Sequence, residues 1–511
     1  MTLGELLTVL NGDGLMTCVS TPTPGAGTGH ETGFPASVAV LDLPVSAVAY
    51  DSRAAVPGSV FVALRGEKAD GASFVGQAVA KGAIAVVAAA AAPASCTAPW
   101  IRVSDDRLAL AALSAAFYRH PSRELRVVGI TGTNGKTTCG YLVREVFDAA
   151  GVPCGLMGTV QYRIGDTVRE ASRTTPEATD LQRMLREMAD AGCGACAMEV
   201  SSHALSLKRA EFTRFAVGVF TNLTRDHLDY HQDMDRYFQA KRRLFELLPE
   251  GAPSVVNIDD PRGVQLASQF KPCVTYGVDR PADVAPVEMP ASLLDLSFDA
   301  QTPVGRLRIH SRLGGRFNVY NLLAAVATGV AADLPLSAIE AGLARVTTVP
   351  GRFQLVSSND DDVAVIVDYA HTDDALKNLL EAVRPIAAAR LITVFGCGGD
   401  RDRTKRPLMG AVAARLSDVV IITSDNPRSE DPDTIIDEIA RGARTAPSCL
   451  RIADRRAAIG RAVAEAQPGD VVVIAGKGHE KYQTIRDKTL PFDDVAVAQD
   501  TLAARRVRRA S

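Results

Sequence analysis

The stretch "LRVVGITGTNGKTTCGYLVREVF" (residues 125–147) sets the tightest limit on the fold. A short apolar run ends in a glycine-rich turn that opens directly into a helical pattern, the strand-loop-helix order a phosphate-binding loop requires. Backbone N–H groups of Gly132, Thr133, Asn134, Gly135, Lys136, Thr137 and Thr138 converge at a helix N-terminus, where free amides and the helix dipole favour an anion. Lys136 is placed to neutralise phosphate charge, and Thr137 to hold a magnesium ion. The spacing departs from the full G-x-x-x-x-G-K-[ST] pattern, because Ile130 stands where the first glycine belongs. A nucleotide site does not by itself state a reaction.

Around and beyond this loop the apolar strands RVVGIT, GACAMEV, FAVGVFTNL and APSVVNID alternate with amphipathic helices, which predicts a parallel sheet covered on both faces. The alternation restarts after "VPGRF" with VAVIVDYA, RLITVFG, DVVIIT and DVVVIAG. The expected fold is therefore α/β in three domains. A small N-terminal α/β domain spans 1–120, a central P-loop parallel-sheet ATPase domain 121–350, and a C-terminal Rossmann-like domain 351–511. A chain of 511 residues is long enough for three separate cores. The stretch "TPTPGAGTGHETGFPA" (21–36) reads as a flexible surface insertion.

Composition removes several function classes. A net charge of -3, with no basic tail, gives no footprint for nucleic acid. The opening "MTLGELLTVL" lacks a basic n-region and a cleavage site, and the apolar run at 83–94 is too short to span a bilayer, so neither secretion nor membrane insertion is expected. Nine scattered cysteines fit reduced thiols in a cytoplasm. The one C-x-x-C, Cys193 to Cys196, leads into an apolar strand and reads as core packing.

Three strand ends carry polar residues that a structural role does not demand. Glu199 lies in a buried-type run, "AMEVSSH", where an unpaired carboxylate is costly, so it should face a cation. His227, beside Asp226 in "TNLTRDHLDYH", offers a ring nitrogen to a second cation site. The third is "TSDNPRSEDP". Asp425, Asn426, Pro427 and Arg428 sit just past the carboxyl end of a buried strand, where open α/β sheets bind ligands, although the same tetrad also reads as a surface turn.

Ten ordered blocks, among them "TGTNGKTT", "MEVSSHAL", "YFQAKRRLF", "GRFNVYNLLAA", "DYAHTDDAL", "TSDNPRSEDP" and "AGKGHEKYQ", resemble the Mur ligases, which add amino acids to the peptide of the bacterial cell-wall precursor. In detail the blocks look like the member that uses ATP and Mg2+ to add meso-diaminopimelate to the D-glutamate of UDP-N-acetylmuramoyl-L-alanyl-D-glutamate. The resemblance implies an ATP-dependent acid-amino-acid ligase of peptidoglycan synthesis, cytoplasmic and monomeric. It implies that Lys241 is carbamylated and, with Glu199 and His227, ligates a second magnesium beside the one held by Thr137, with Lys136 also catalytic. Asn318 and Asn321 would contact adenine, while Arg352, Asp368 and His371 close over the nucleotide. Tyr50, Ser52, Glu67, Lys68 and Ala69 would hold the uridine end, and Thr174, Thr175, Ser201 and Arg209 the muramoyl dipeptide. Arg209 also has a physical case, since a dipeptide carboxylate needs a fixed cation. Asp373 replaces a proline usual in the family, Leu207 a glutamine of some relatives, and Arg173 an asparagine.

The resemblance makes "DNPR" a specificity loop. The distal end of meso-diaminopimelate carries an ammonium and a carboxylate, while lysine carries only the ammonium. Arg428 supplies a planar fork for that carboxylate. Arg401 binds the other carboxylate or supports the first, and Asp425, the Gly476 carbonyl and Glu480 receive the ammonium. The rivals are a lysine-adding version of the ligase, a folylpolyglutamate synthase-like ligase, and an ATP-hydrolysing regulatory protein that makes no bond.

Overall fold

The computed structural model describes residues 1–20, 31–32, 38–66, 69–289, 295–358 and 360–510. Glu67, Lys68 and most of the 21–36 stretch lie outside the described residues; Glu31–Thr32 within that stretch forms a short strand. Two compact units account for the chain. One comprises Met1–Gly129, Pro153–Ala216 and Arg243–Ala252; the other comprises Ile130–Val152, Val217–Arg242 and Pro253–Ser511.

In the first unit, parallel strands Ala47–Ala49, Ser59–Val62, Ala85–Ala88 and Trp100–Val103 lie side by side, and Met16–Ser20 adds antiparallel to the last. Ser59–Val62 and Ala85–Ala88 are buried at every position, as continuous apolar runs inside a sheet should be. Helices Leu3–Gly12 and Asp106–Phe117 cover one face through Leu3, Leu6, Leu10, Leu110 and Leu113. Both start on side-chain caps: Thr2 forms a reciprocal box with Glu5, and Asp105 accepts from Leu108 N at 2.9 Å. The same unit carries strands Cys154–Met157 and Ala195–Glu199 in parallel, extended by an antiparallel meander through Gln161–Ile164 and Thr167–Glu170. Cys193 and Cys196 are buried in this unit, and burial pushes the Cys196 thiol up.

In the second unit, the end of strand Arg126–Thr131 feeds helix Lys136–Ala149, and Thr221 N donates to Thr131 O at 3.0 Å. Strands Phe215–Phe220, Ser254–Asn257 and Cys273–Tyr276 continue in parallel. Helices Arg316–Ala331 and Leu336–Arg345 pack on Lys136–Ala149, with Gly342 against the backbone of Val146. A three-stranded antiparallel sheet, Ala285–Pro286, Leu296–Thr302 and Gly305–Ser311, has no counterpart in the sequence expectations.

The carboxyl-terminal part is a doubly wound sheet in the order Gln354–Leu355, Ala364–Asp368, Val471–Ala475, Leu391–Phe395, Val419–Ile422, Cys449–Arg451. All neighbours are parallel except the first pair. Helices Asp373–Val383, Lys405–Leu416 and Pro432–Gly442 pack on one face, and Arg455–Glu465 and Asp494–Ala510 on the other. The loops after Asp368, Phe395, Ile422 and Ala475 therefore emerge from the same edge, where such sheets bind ligands.

Candidate active site

The phosphate loop is held in shape before any ligand arrives. Gly132 and Gly135 adopt φ of +150° and +88°, and a Cβ at either would collide with Thr221 Oγ1 or Asn321 Oδ1 respectively, so only glycine fits. Thr133 N donates to Asn222 O at 2.8 Å and Asn134 N to Asn222 Oδ1 at 2.9 Å. Lys136 Nζ donates to Gly132 O and Thr133 O, each at 2.9 Å, arching over the loop. Thr137 Oγ1 accepts from Arg352 Nη2 at 3.1 Å, and the Arg352 guanidinium stacks 4.4 Å from the Tyr369 ring.

Lys241 is 1% exposed, donates to Gly132 O at 2.6 Å and lies 4.4 Å from the Tyr237 ring centroid. Burial, followed by the nearby Lys136 charge, pushes its ammonium well below the usual lysine range. His227 stands in a left-handed conformation at φ +54°, with Nε2 3.3 Å from Asp226 Oδ2; His371 Nε2 is 3.9 Å from the same oxygen. Burial works to raise the Asp226 carboxyl, but His227, His371 and Lys405 together hold it below its ordinary value. Asn318 and Asn321 are both buried and bonded to each other at 2.8 Å. Asp368 accepts from Phe353 N and Ala370 N, both at 2.7 Å, so it ties the Arg352 segment to the strand that precedes His371. Burial raises its pKa.

At the neighbouring strand ends the "DNPR" tetrad is a turn pinned by hydrogen bonds from the adjoining loops. Asn426 is 2% exposed; its Nδ2 donates to Glu480 Oε2 at 2.8 Å, and its Oδ1 accepts from Thr484 N at 2.9 Å and Lys477 Nζ at 3.2 Å. Asp425 lies against Gly476, whose added Cβ would meet Asp425 Oδ2 at 2.6 Å. Burial tends to raise the Asp425 carboxyl, but Lys477 and then Arg455 hold it low. Glu480 is raised by burial and then by Asp425. Arg428 is half-buried in a left-handed conformation at φ +51°, with Nη1 donating to Gly399 O at 2.6 Å. Gly398 lies between Arg428 and Arg401, and Arg401 itself is exposed.

The first unit gathers its own polar group. Glu199 is 2% exposed and accepts from Thr159 N at 2.8 Å and Thr159 Oγ1 at 2.9 Å. Within this unit those two hydrogen-bond donors lower the cost of burying the carboxylate. Thr174 Oγ1 is 3.1 Å from Thr159 Oγ1, Thr175 Oγ1 donates to Glu199 O at 2.9 Å, and Ser201 N donates to Thr175 Oγ1 at 3.0 Å. Arg209, expected as a cation for a dipeptide carboxylate, already faces Glu177 at 3.0 Å. Tyr50 OH donates to Asp180 at 2.8 Å and Ser52 Oγ to Gln77 at 2.7 Å, while Ala69 accepts from Gly66 N at 3.0 Å.

Family comparisons decide what this constellation belongs to. Residues 44–118 match the Mur ligase family catalytic domain, 130–329 the Mur ligase middle domain, and 351–478 the Mur ligase glutamate ligase domain. The chain is 48% identical over 479 residues to the UDP-N-acetylmuramoyl-L-alanyl-D-glutamate–2,6-diaminopimelate ligase of Geobacter metallireducens, covering 89% of this chain and 93% of that one. The chain belongs to the Mur ligase family. The ligase of the same name from Gloeobacter violaceus is 47% identical over 91% of this Mur ligase and 96% of its own length. A solved structure of a ligase so named is 33% identical with a TM-score of 0.65, over 92% of this chain and 97% of that one.

Several residues of this Mur ligase escaped the sequence reading. Thr159, the partner of Glu199, lies 40 residues before it and in no motif. Lys477 and Arg455 look like surface cations in sequence, yet their side chains are fully buried. The hairpin Tyr482–Ile485 with Lys488–Pro491 also went unseen; it braces the tetrad through Gln483 Nε2 to Asp425 O at 2.7 Å and Arg428 N to Thr484 O at 3.0 Å.

Proposed function

We propose that this Mur ligase uses ATP to join meso-diaminopimelate to the D-glutamyl carboxylate of UDP-N-acetylmuramoyl-L-alanyl-D-glutamate. The observation that carries the choice of amino acid is Arg428, a half-buried fork held by the Gly399 carbonyl, on the same sheet edge as the buried Asp425 and the half-buried Glu480. A fork and a pair of carboxylates suit one end of an amino acid that carries both charges. The domain boundaries 1–120, 121–350 and 351–511 form part of the reading, with precursor, ATP and amino acid assigned in that order. A cytoplasmic monomer is the setting we assign.

A carboxylate and an amine do not condense in water. The glutamyl carboxylate must attack the γ-phosphate in line, giving ADP and an acyl phosphate, and the amine then displaces phosphate to leave the amide. Lys136 balances charge on the transferring phosphoryl group and swings from its carbonyl contacts to do so. Arg352 and Asp368, linked through the Phe353 amide, hold the nucleotide in place with His371, and Asn318 and Asn321 face the base. Thr174, Thr175, Ser201 and Arg209 orient the dipeptide, which lowers the entropic cost of reaction.

Magnesium, when bound, neutralises the phosphate charge and fixes its oxygens. Among the described residues no group of three His, Cys, Asp or Glu is ready to hold a metal. Thr137 is assigned to one ion, and the proposed set for a second is Glu199, His227 and Lys241. It becomes adequate for a hard cation only when Lys241 carries an anionic carbamate, which its burial beside a single backbone carbonyl allows. Phosphate release with the UDP-dipeptide, ATP and magnesium, compared with meso-diaminopimelate, L-lysine and no amine, tests the whole reading. Turnover that needs both precursor and meso-diaminopimelate is expected; equal rates with L-lysine, or release without an amine, refute it.

A further inference from the structure

A fully buried ion pair lies behind the proposed amino-acid site, and the reaction scheme does not use it. Arg455, the first residue of helix Arg455–Glu465, and Asp494, the first residue of helix Asp494–Ala510, both have side chains with 0% exposure. Arg455 Nε donates to Asp494 Oδ1 at 2.8 Å and Nη2 to Asp494 Oδ2 at 2.7 Å, a two-point clamp. The rest of the guanidinium faces the sheet edge. Nη2 also donates to Ala475 O at 2.9 Å, and Nη1 to Ser424 O at 3.4 Å.

Those two carbonyls belong to the peptide bonds that lead into Gly476 and Asp425. The first opens the loop carrying Lys477 and Glu480; the second opens the tetrad carrying Asn426 and Arg428. The two loops are also crosslinked farther out by Asn426 Nδ2 to Glu480 and by Lys477 Nζ to Asn426 Oδ1. Gly476 N also donates to Asp368 O at 3.1 Å.

A buried ion pair is poor value as a source of stability, since apolar residues of the same volume often serve as well or better. An apolar pair cannot donate to two carbonyls at once. From this geometry we infer that Arg455, oriented by Asp494, is a positioning residue for amino-acid selection: it fixes the spacing of the Asp425 and Gly476 loops so that Arg428, Asp425 and Glu480 meet the two charges of the amino acid's distal end. It touches no substrate. Three carboxylates, the buried Asp425 and Asp494 and the half-buried Glu480, against two buried cations, Arg455 and Lys477, leave one negative charge when all are ionised, which one substrate ammonium completes.

The inference rests on the diaminopimelate reading above, and wild-type enzyme separates the two. Failure of wild type to prefer meso-diaminopimelate over L-lysine defeats that reading; a normal wild type with unaffected variants defeats only the inference. The variants are Arg455→Lys, Asp494→Asn and the double apolar replacement Arg455→Met with Asp494→Leu, which leaves no lone buried charge. Each is first checked by thermal unfolding. Expected is a rise of about tenfold or more in KM for meso-diaminopimelate and a fall of similar size in the diaminopimelate-to-lysine preference, from displaced contacts. KM for ATP and for the UDP-dipeptide should stay within about twofold, since a displaced distal-end contact acts on neither ligand. A folded variant with unchanged diaminopimelate KM, or one in which all three KM values rise together, overturns the inference. So does failure of all three variants to fold, because the pair is then a purely structural bolt.

Discussion

Replacing Arg428 with glycine separates recognition from stability. At φ +51° the backbone of Arg428 is in the region that disfavours side chains, at about 1 kcal/mol. Glycine removes that strain but returns roughly 0.5–1 kcal/mol through the entropy of the unfolded chain. The lost Nη1 bond to Gly399 O costs about 1 kcal/mol more. The backbone bonds to Thr484 and from Arg486 survive, so the net change in stability is within about 1 kcal/mol. Binding responds differently. Truncating one side of a buried charge pair costs about 2–5 kcal/mol, and because Arg428 is only half-buried the lower end applies. About 2 kcal/mol corresponds to roughly a 30-fold rise in KM for meso-diaminopimelate. The assay is phosphate release at saturating ATP and UDP-dipeptide with the amino acid varied, beside a urea unfolding curve. A folded Arg428→Gly enzyme with its diaminopimelate KM unchanged refutes the assigned role, and one that loses several kcal/mol of stability refutes the backbone reasoning.

Lys241→Met should lower kcat by about 100-fold or more, through loss of charge stabilisation at the phosphoryl group, with the fold intact by circular dichroism. Arg352→Ala removes the donor to Thr137 and the stack on Tyr369; KM for ATP should rise while KM for meso-diaminopimelate holds, read from initial rates. Gly399→Ala would drive a Cβ into the Pro427 carbonyl, destabilising by about 1–3 kcal/mol in a denaturant titration. Arg406 hydrogen bonds hold Glu430 down to about 2, against an ordinary 4.5. A lowered carboxyl pKa contributes stability above the ordinary value and loses it as pH falls toward the folded one. Wild-type denaturation midpoints should therefore decline from about pH 5 to about pH 2, and Glu430→Gln should flatten that decline.

The parts legible in the sequence were those written as continuous stretches. Strand Arg126–Thr131 coincides with the apolar run RVVGIT, and the strands of the doubly wound sheet fall inside VAVIVDYA, RLITVFG, DVVIIT and DVVVIAG, because a strand buried on both faces must be apolar throughout. The antiparallel strands Leu296–Thr302 and Gly305–Ser311 alternate buried and exposed positions, and LSFDAQT and GRLRIHS carry too few apolar residues to stand out. The candidate site divides in the same way. Local motifs pointed to Lys136 and Arg428, and the family resemblance alone to Lys241, but nothing pointed to what fixes them. Thr159 is 40 residues from Glu199, and Asp494 is 39 from Arg455. A buried cation whose partner lies that far along the chain leaves no local pattern, since its sequence neighbours remain those of a surface helix.

Gly399 and the tetrad after strand Val419–Ile422 leave almost no room between them. Gly399 N donates to Asn426 O at 2.9 Å, Arg428 Nη1 returns to Gly399 O, and no side chain fits at Gly399 beside Pro427. The two loops therefore move as one part. Converting the enzyme to another amino acid is consequently a joint redesign: exchanging Arg428 alone deletes a contact without reshaping the wall behind it. A swap of the 396–401 and 423–428 segments together, taken from a ligase of different preference, keeps Arg428 with the glycine wall it packs against.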